Sequence, residues 1–263
     1  RLSSNLATAV ARAREPDHAR ALALHREAIE LLREQLGDEH PQVISARLNQ
    51  GRALIYAGEP DQAERVLRGA LGRARAVWGD DHPHTARVEG TLGTALAALG
   101  REAEAEQALR RSLEARERSL GAEHPEVASA RFNLASALRR AGRHDEAVVQ
   151  LRRGLQSRRR HHAEPEGDRH DLIPWLYMIG DSEVERGQPA AAREALREAL
   201  SLAETDGAAP LDFAKVRFGL ARALAPDDPV QARMVAEAAR DAYRAEGQPQ
   251  AAERVEAFLE QLP

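Results

Sequence analysis

One hexapeptide occurs three times at fixed spacing, and it restricts the possible folds more than any other feature of the chain. The copies are Leu36-Gly37-Asp38-Glu39-His40-Pro41, Trp78-Gly79-Asp80-Asp81-His82-Pro83 and Leu120-Gly121-Ala122-Glu123-His124-Pro125, with their prolines 42 residues apart. Self-similarity at such a period belongs to stacked supersecondary units, each covering the apolar face of the one before, and not to a single closed core. The hexapeptide reads as punctuation between helices. Its glycine permits the left-handed backbone that ends one helix. Its proline suits the first turn of the next, where a missing N–H costs nothing. That proline also holds the preceding histidine out of the α region, at the cap position. The acids ahead of it, and Glu126 after the third copy, place negative charge near the positive helix end.

A second glycine recurs with the same period, at Gly58, Gly100 and Gly142, and divides each unit into a helix A and a helix B. In the second unit the spacing predicts helices over about 41–57 and 60–78. Small residues hold matched places: Gly51, Gly93 and Ala135 before the turn, and Ala63, Ala105 and Ala147 after it. Small side chains there let the two helices approach closely. Only 3% of residues are aromatic, so Ala, Leu and Val must fill the interior.

Leu92-Gly93, Gly100 and Ala105, together with Leu134-Ala135, Gly142 and Ala147, resemble the tetratricopeptide repeat, whose standard unit has about 34 residues. The 42-residue unit, with its Leu-Gly-x-Glu-His-Pro linker, resembles the longer repeats of kinesin light chains and their bacterial relatives. HEAT and armadillo repeats have a similar length, but the small-residue positions favour the tetratricopeptide reading. Degraded copies continue the pattern. Gly180, Gly187 and Ala192 repeat the spacing after three inserted residues, 217–224 echoes 131–138, and Pro226-Asp227-Asp228-Pro229 supplies a turn. The resemblance implies an all-α fold, a right-handed α-α superhelix of about six helix pairs plus a C-terminal capping helix. As a single domain over 1–263, its units fall near 1–38, 39–80, 81–122, 123–166, 167–206 and 207–246. The capping helix, 248–262, carries an apolar stripe of Ala251, Ala252, Val255, Phe258, Leu259 and Leu262, as the end of a stack requires.

Several function classes fall away on composition. Cysteine is absent, which rules out disulfides and thiolate metal sites. A net charge of −4 points to neither a DNA binder nor a membrane-surface binder. No apolar run approaches the roughly 20 residues of a membrane span, and no signal peptide opens the chain, so the expected location is cytoplasmic. The sequence starts at Arg1 inside a helix-like pattern, which suggests a piece of a longer protein. Lys215 is the only lysine among 38 basic residues, a bias in keeping with a GC-rich bacterial genome. Segments 217–224, Ala232-Arg233 and 239–243, then 252–259, resemble the C-terminal repeat arrays of bacterial serine/threonine protein kinases. That resemblance implies a kinase domain upstream. The chain itself has no Gly-rich phosphate loop, His-Arg-Asp loop or Asp-Phe-Gly, and Asp212-Phe213 is followed by Ala214. No catalytic residue and no cofactor is expected, and the chain does not read as an enzyme.

Metal and nucleic-acid chemistry are the alternatives to weigh. His40, His82 and His124 belong to successive units, and packed helices stand about 8–10 Å apart, whereas zinc takes nitrogens at about 2 Å. His161, His162, Asp168, His170 and Asp171 form the one local cluster of ligand type, in a stretch that reads as a solvated insertion. The stretch 139–162 carries eight arginines against Asp145 and Glu146, a net +6. A phosphate-binding stripe is the alternative of a different class there, but no aromatics interleave, which favours a solvated outer helix face. Glu102 and Glu104 likewise read as solvation.

The remaining candidate is the inner wall. In the resembled family helix A lines a concave groove, and an asparagine just before the conserved leucine binds an extended peptide backbone. An asparagine can donate and accept at once, which suits an amide. The matching positions are Asn5, Asn49, Thr91, Asn133, Met178 and Gly219, with Asn49 departing from the pattern because Gln50 follows it. One turn further lie Arg52, Thr94, Ser136 and Asp181, and Tyr56, Arg140 and Tyr177 border the same face. The plainer reading is that the asparagines only bridge neighbouring helices. Asparagine is missing from this position in the last two units, which places any peptide site in the first four. The implied function is a protein-interaction scaffold taking a peptide or partner domain, either free-standing or as the recruitment region of a larger signalling protein.

Overall fold

The computed structural model describes residues 18–161, 169–206 and 208–263. They form α1 (His18–Leu36), α2 (Pro41–Tyr56), α3 (Pro60–Trp78), α4 (Pro83–Ala98), α5 (Glu102–Leu120), α6 (Pro125–Arg140) and α7 (His144–His161). A 3-10 turn (His170–Leu172) leads into α8 (Ile173–Glu185), α9 (Pro189–Asp206), α10 (Pro210–Leu224), α11 (Pro229–Ala245) and α12 (Pro249–Gln261). No strand occurs among the described residues. The even-numbered helices α2 to α10 are the expected A helices, their successors are the B helices, and α12 is the expected final helix. The predicted helix A of the first unit, with Asn5, lies outside the described residues.

The chain falls into two compact units, residues 1–137 and 138–263, divided within α6. In the first, each of α1 to α4 packs on its successor, and α2 also packs on α4, the next helix A. Its core joins Leu22, Ile44, Leu54, Leu67, Val88, Leu92 and Leu96 with Ala63, Ala70, Ala74, Ala95 and Ala105. In the second, α7 to α12 pack in the same successive order, and α8 packs on α10. There Ala214, Ala221, Ala236, Tyr243, Ala252, Val255 and Leu259 share one cluster. Phe218 stands edge-on to Phe258 at 5.7 Å, so the predicted apolar stripe of α12 is buried against α10 and α11.

The approach of helix A to helix B explains the small residues. A Cβ at Gly93 would lie 2.7 Å from Leu109 Cγ and 3.1 Å from the Ala105 carbonyl oxygen. Gly51 stands in the same relation to Leu67, at 2.5 Å, and Gly180 to Leu196. Ala63, Ala105, Ala147 and Ala192 are fully buried. The turn between the two helices also repeats. Gly100 has φ 73°, Gly100 N–H donates to Ala97 O at 3.1 Å, and Arg101 N–H donates back to Leu96 O at 3.0 Å. This closes the helix at a backbone angle that a Cβ disfavours. In the last pair Asp228 N–H donates to Leu224 O at 2.8 Å, and the Asp228 carboxylate accepts from Gln231 N–H at 2.9 Å, so that turn dispenses with glycine.

The hexapeptide histidines sit at N-caps, as the following prolines require. His40 has φ −66°, ψ 136°, and His82 has φ −75°, ψ 139°. Each histidine is also the capping group itself, which the spacing did not reveal. Nδ1 of His40, His82 and His124 accepts from the backbone N–H two residues on, at 3.2, 3.2 and 3.1 Å. A neutral imidazole nitrogen thus takes the part usually played by a serine or aspartate oxygen. The hexapeptide acids do more than meet the helix dipole. Asp38 accepts from Arg47 at 2.6 Å and from Arg73 at 2.5 Å, which ties α2 and α3 to the end of α1 and holds its carboxyl below the usual range.

The charged stretches gain partners from neighbouring helices. The basic stretch is an exposed helix face, as expected, and several of its arginines are also paired. Arg139 pairs with Asp181, Arg152 with Glu183 at 2.8 Å, Arg158 with Asp171 at 3.1 Å and Arg159 with Glu198 at 2.6 Å. Four acids from α8, α9 and the 3-10 turn offset part of the surplus visible in 139–162, which a local charge count misses. Of the 161–171 cluster, His162 and Asp168 lie outside the described residues, and Asp171 pairs with Arg158 while staying partly exposed. Glu102 and Glu104 are exposed, as expected, and Glu104 also meets Arg101 at 2.7 Å.

Two paired experiments test this packing. Gly93→Ala should lose about 1–3 kcal/mol in urea unfolding, because the added methyl meets Leu109 and a backbone carbonyl. Gly72→Ala in α3, where a Cβ meets nothing within 4 Å, should gain about 0.5–1 kcal/mol. Stability should also fall in mild acid. Burial holds His25 below the ordinary imidazole value, and burial, then Arg87 and His82, do the same for His84. The folded state therefore binds fewer protons than the unfolded chain. Stability is flat above about pH 6.5 and declines as pH drops below it, until the depressed folded values are passed. Urea midpoints at pH 7.5 and 5.5 check the sign.

Candidate functional site

The first compact unit holds a groove of about 330 Å³ along its A helices. Each helix contributes one face at helical spacing: Leu48, Arg52, Ile55 and Tyr56 from α2, Arg87, Thr91 and Thr94 from α4, and Glu126, Ser129 and Asn133 from α6. Arg116 reaches in from α5. Tyr56 is 70% exposed, a large ring held out to solvent.

The hydroxyls are partly committed. Thr91 Oγ1 donates to Arg87 O at 3.0 Å, Thr94 Oγ1 to Gly90 O at 3.2 Å and Ser129 Oγ to Pro125 O at 3.1 Å. They remain available as acceptors. Among the described residues the Asn133 side chain makes no hydrogen bond, which leaves its amide hydrogens and carbonyl oxygen open to a guest.

The charges are unevenly matched. Arg52, Arg87 and Arg116 face one acid, Glu126, leaving two surplus positive charges. Arg116 is nearly buried, and desolvation pulls its guanidinium down to about 10. Its Nη1 donates to Glu126 O at 2.9 Å, while its buried Nε has no hydrogen-bond partner. Glu126 Oε2, also buried and without a hydrogen bond, stands 3.9 Å from Arg87 Nε. Unpaired buried polar atoms are costly, and their concentration beside a groove marks a place where a ligand can complete the bonding. Gly90 makes room for this group: a Cβ there would lie 2.5 Å from Ser112 Oγ and 3.4 Å from Arg116 Nη2.

A second groove, in the other compact unit, measures about 950 Å³ and includes Tyr177 and Asp181. The proposed contact residues thus divide. Arg52, Tyr56, Thr91, Thr94 and Asn133 come together in the first groove, and Tyr177 and Asp181 in the second. Asp181 is held by Arg139 and, at 2.7 Å, by Arg222, so it meets its own arginines before any ligand. Asn49, Ser136 and Arg140 line neither groove, and Asn5 lies outside the described residues. Met178 and Gly219 are buried in the second unit, where Gly219 admits Leu196. Sequence reasoning missed Arg87, Arg116, Glu126 and Ser129. The signal was available, because Arg87 replaces Ser45 and Ser129, and Arg116 replaces Ala74, at equivalent places of the 42-residue unit.

Comparison with known proteins accords with this architecture. Among solved structures, the chain is similar to the putative kinesin light chain of Podosopora anserina with nearly identical TPR-like repeats (21% identity, TM-score 0.65), covering 80% of this chain and 99% of that one. It is similar to BtubC (BKLC) from P. vanneervenii (17% identity, TM-score 0.65), covering 95% and 94%. It is also similar to a Rap protein complexed with Competence and Sporulation Factor (13% identity, TM-score 0.66), covering 93% and 70%. No curated protein matches it significantly by sequence. Family profiles described as tetratricopeptide repeat match residues 2–76, 54–118 and 85–160, and again 177–229. With A and B helices paired as that repeat demands, a fold typically without catalysis of its own, the chain belongs to the tetratricopeptide-repeat family.

Proposed function

We propose that the chain is a non-catalytic interaction module that grips an extended, acidic peptide segment in the groove of its first compact unit. The observation that carries this reading is the conjunction of Asn133 with two surplus positive charges on three parallel helix faces. A backbone amide of the guest can donate to and accept from Asn133. An acidic side chain can meet Arg52 and Arg87 and supply the acceptor that Arg116 Nε lacks. Thr91 and Thr94 present lone pairs and methyl groups between these points. Tyr56 offers an apolar ring at the mouth. The Rap protein complexed with Competence and Sporulation Factor supports the reading by fold alone, as a similar stack that holds a bound factor. The same module suits the recruitment region of a larger bacterial signalling protein, such as a serine/threonine kinase, or a free-standing cytoplasmic adaptor. The coding sequence upstream of Arg1 decides between those two contexts.

Peptide display with the intact chain tests the proposal. Enriched segments should be rich in Asp and Glu, and their binding should weaken steeply between 50 and 500 mM salt, as expected of exposed charge pairs. Asn133→Ala should weaken the best segment about tenfold, and Arg52→Glu with Arg87→Glu about a hundredfold, magnitudes set by one hydrogen bond and two charge contacts. Arg116→Met should also lose affinity while leaving urea stability unchanged or higher, because it removes a buried charge. Segments without acidic bias, or affinities that survive all three changes, would overturn the reading.

A further inference from the structure

The cavity of the second compact unit differs in kind from the groove of the first. Its lining comes from α6, α8, α10, α11 and α12 and includes the apolar side chains of Ile173, Leu211 and Phe218. The ring of Phe218 is fixed by its edge contact with Phe258. Into this space three donors converge from three helices: the Tyr177 hydroxyl from α8, the Tyr243 hydroxyl from α11 and the Arg254 guanidinium from α12. Tyr243 is only 5% exposed, yet neither phenol has a hydrogen-bond partner among the described residues. Burial raises both phenols, Tyr243 to about 12, so each keeps its proton at neutral pH and can donate.

The acids of the cavity are already spent. Asp181 is taken by Arg139 and Arg222, and Asp212 accepts from Lys215 at 3.3 Å. Arg254 has no ion pair among the described residues, although its charge is felt at both phenols. The counts of basic and acidic lining residues leave two surplus positive charges. A cavity of a few hundred to about 1,000 Å³ that sets apolar side chains such as Phe218 beside polar and charged groups has room for a small amphipathic ligand. An extended peptide would ask instead for donors and acceptors repeated along a groove.

We infer that this cavity binds a small amphipathic organic acid, with its anionic group held by Tyr177, Tyr243 and Arg254 and its apolar body against Phe218. The site stands independently of the peptide groove, sharing no residue with it. The test uses the whole chain and a fluorescent aromatic anion, 1-anilinonaphthalene-8-sulfonate, which should bind one to one. Decanoate should displace it, and decanol should need at least about tenfold more, since only the acid makes charge-assisted bonds. Arg254→Gln should weaken decanoate about tenfold and Tyr243→Phe several-fold, with decanol unchanged in both and helical circular dichroism preserved. Arg52→Gln, in the other groove, should change nothing. The inference is overturned by any of four results: no probe binding, equal displacement by acid and alcohol, decanoate affinity untouched in both variants, or displacement of the probe by the acidic peptides selected on the first groove.

Discussion

The Leu109 side chain lies over Gly93, and the space left by that missing Cβ sets how closely a helix A can approach its helix B. The same contact recurs as Leu67 over Gly51 and as Leu196 over Gly180. With so few aromatic residues, the chain has few bulky side chains with which to fill a wider gap. Interiors tolerate little empty volume, so the helix spacing, the alanines at 63, 105, 147 and 192 and the leucines opposite them form one mutually dependent set. Backbone punctuation then repeats the set. Left-handed glycines end the helices, and the imidazoles of His40, His82 and His124 begin the next ones.

What repeats holds the stack together, and what fails to repeat lines its grooves. Positions such as Gly93 and Ala105 recur because every unit must pack in the same way. Arg87 and Tyr56 have no counterparts of their own kind in the neighbouring units, at Ser45 and Ser129 or at Ala98, whereas Arg116 recurs as Arg158. Their side chains gather on one face with two positive charges left over. A buried guanidinium such as that of Arg116 is a burden on stability.

The helices were legible in the sequence because each boundary has a local cause. Pro41, Pro60 and Pro83 open helices at the positions their spacing predicted, and Gly58 and Gly100 end them. The groove was legible where it follows from the phase of one helix, as with Arg52, Thr91, Thr94 and Asn133. It was illegible where it depends on pairing between units. Arg116 belongs to a B helix and enters the groove only because Gly90 and Ser112 make way. The arginines of 139–162 read from sequence as a solvated face, and their pairing with Glu183, Glu198 and Asp171 depends on neighbouring helices. Asn49 has the right residue type but stands outside the lining.

The central claim is that the A-helix faces of the first unit form a receptive wall that the protein does not fill with its own side chains. Amide chemical-shift mapping of the isotopically labelled chain with a polyglutamate-rich peptide addresses it most directly. The account predicts shifts confined to α2, α4, α6 and the turn of α5 around Arg116, centred on Arg52, Thr91 and Asn133, with α3 silent around Arg68 and Gly72. Shifts centred on those α3 positions, or none at millimolar peptide, would contradict it.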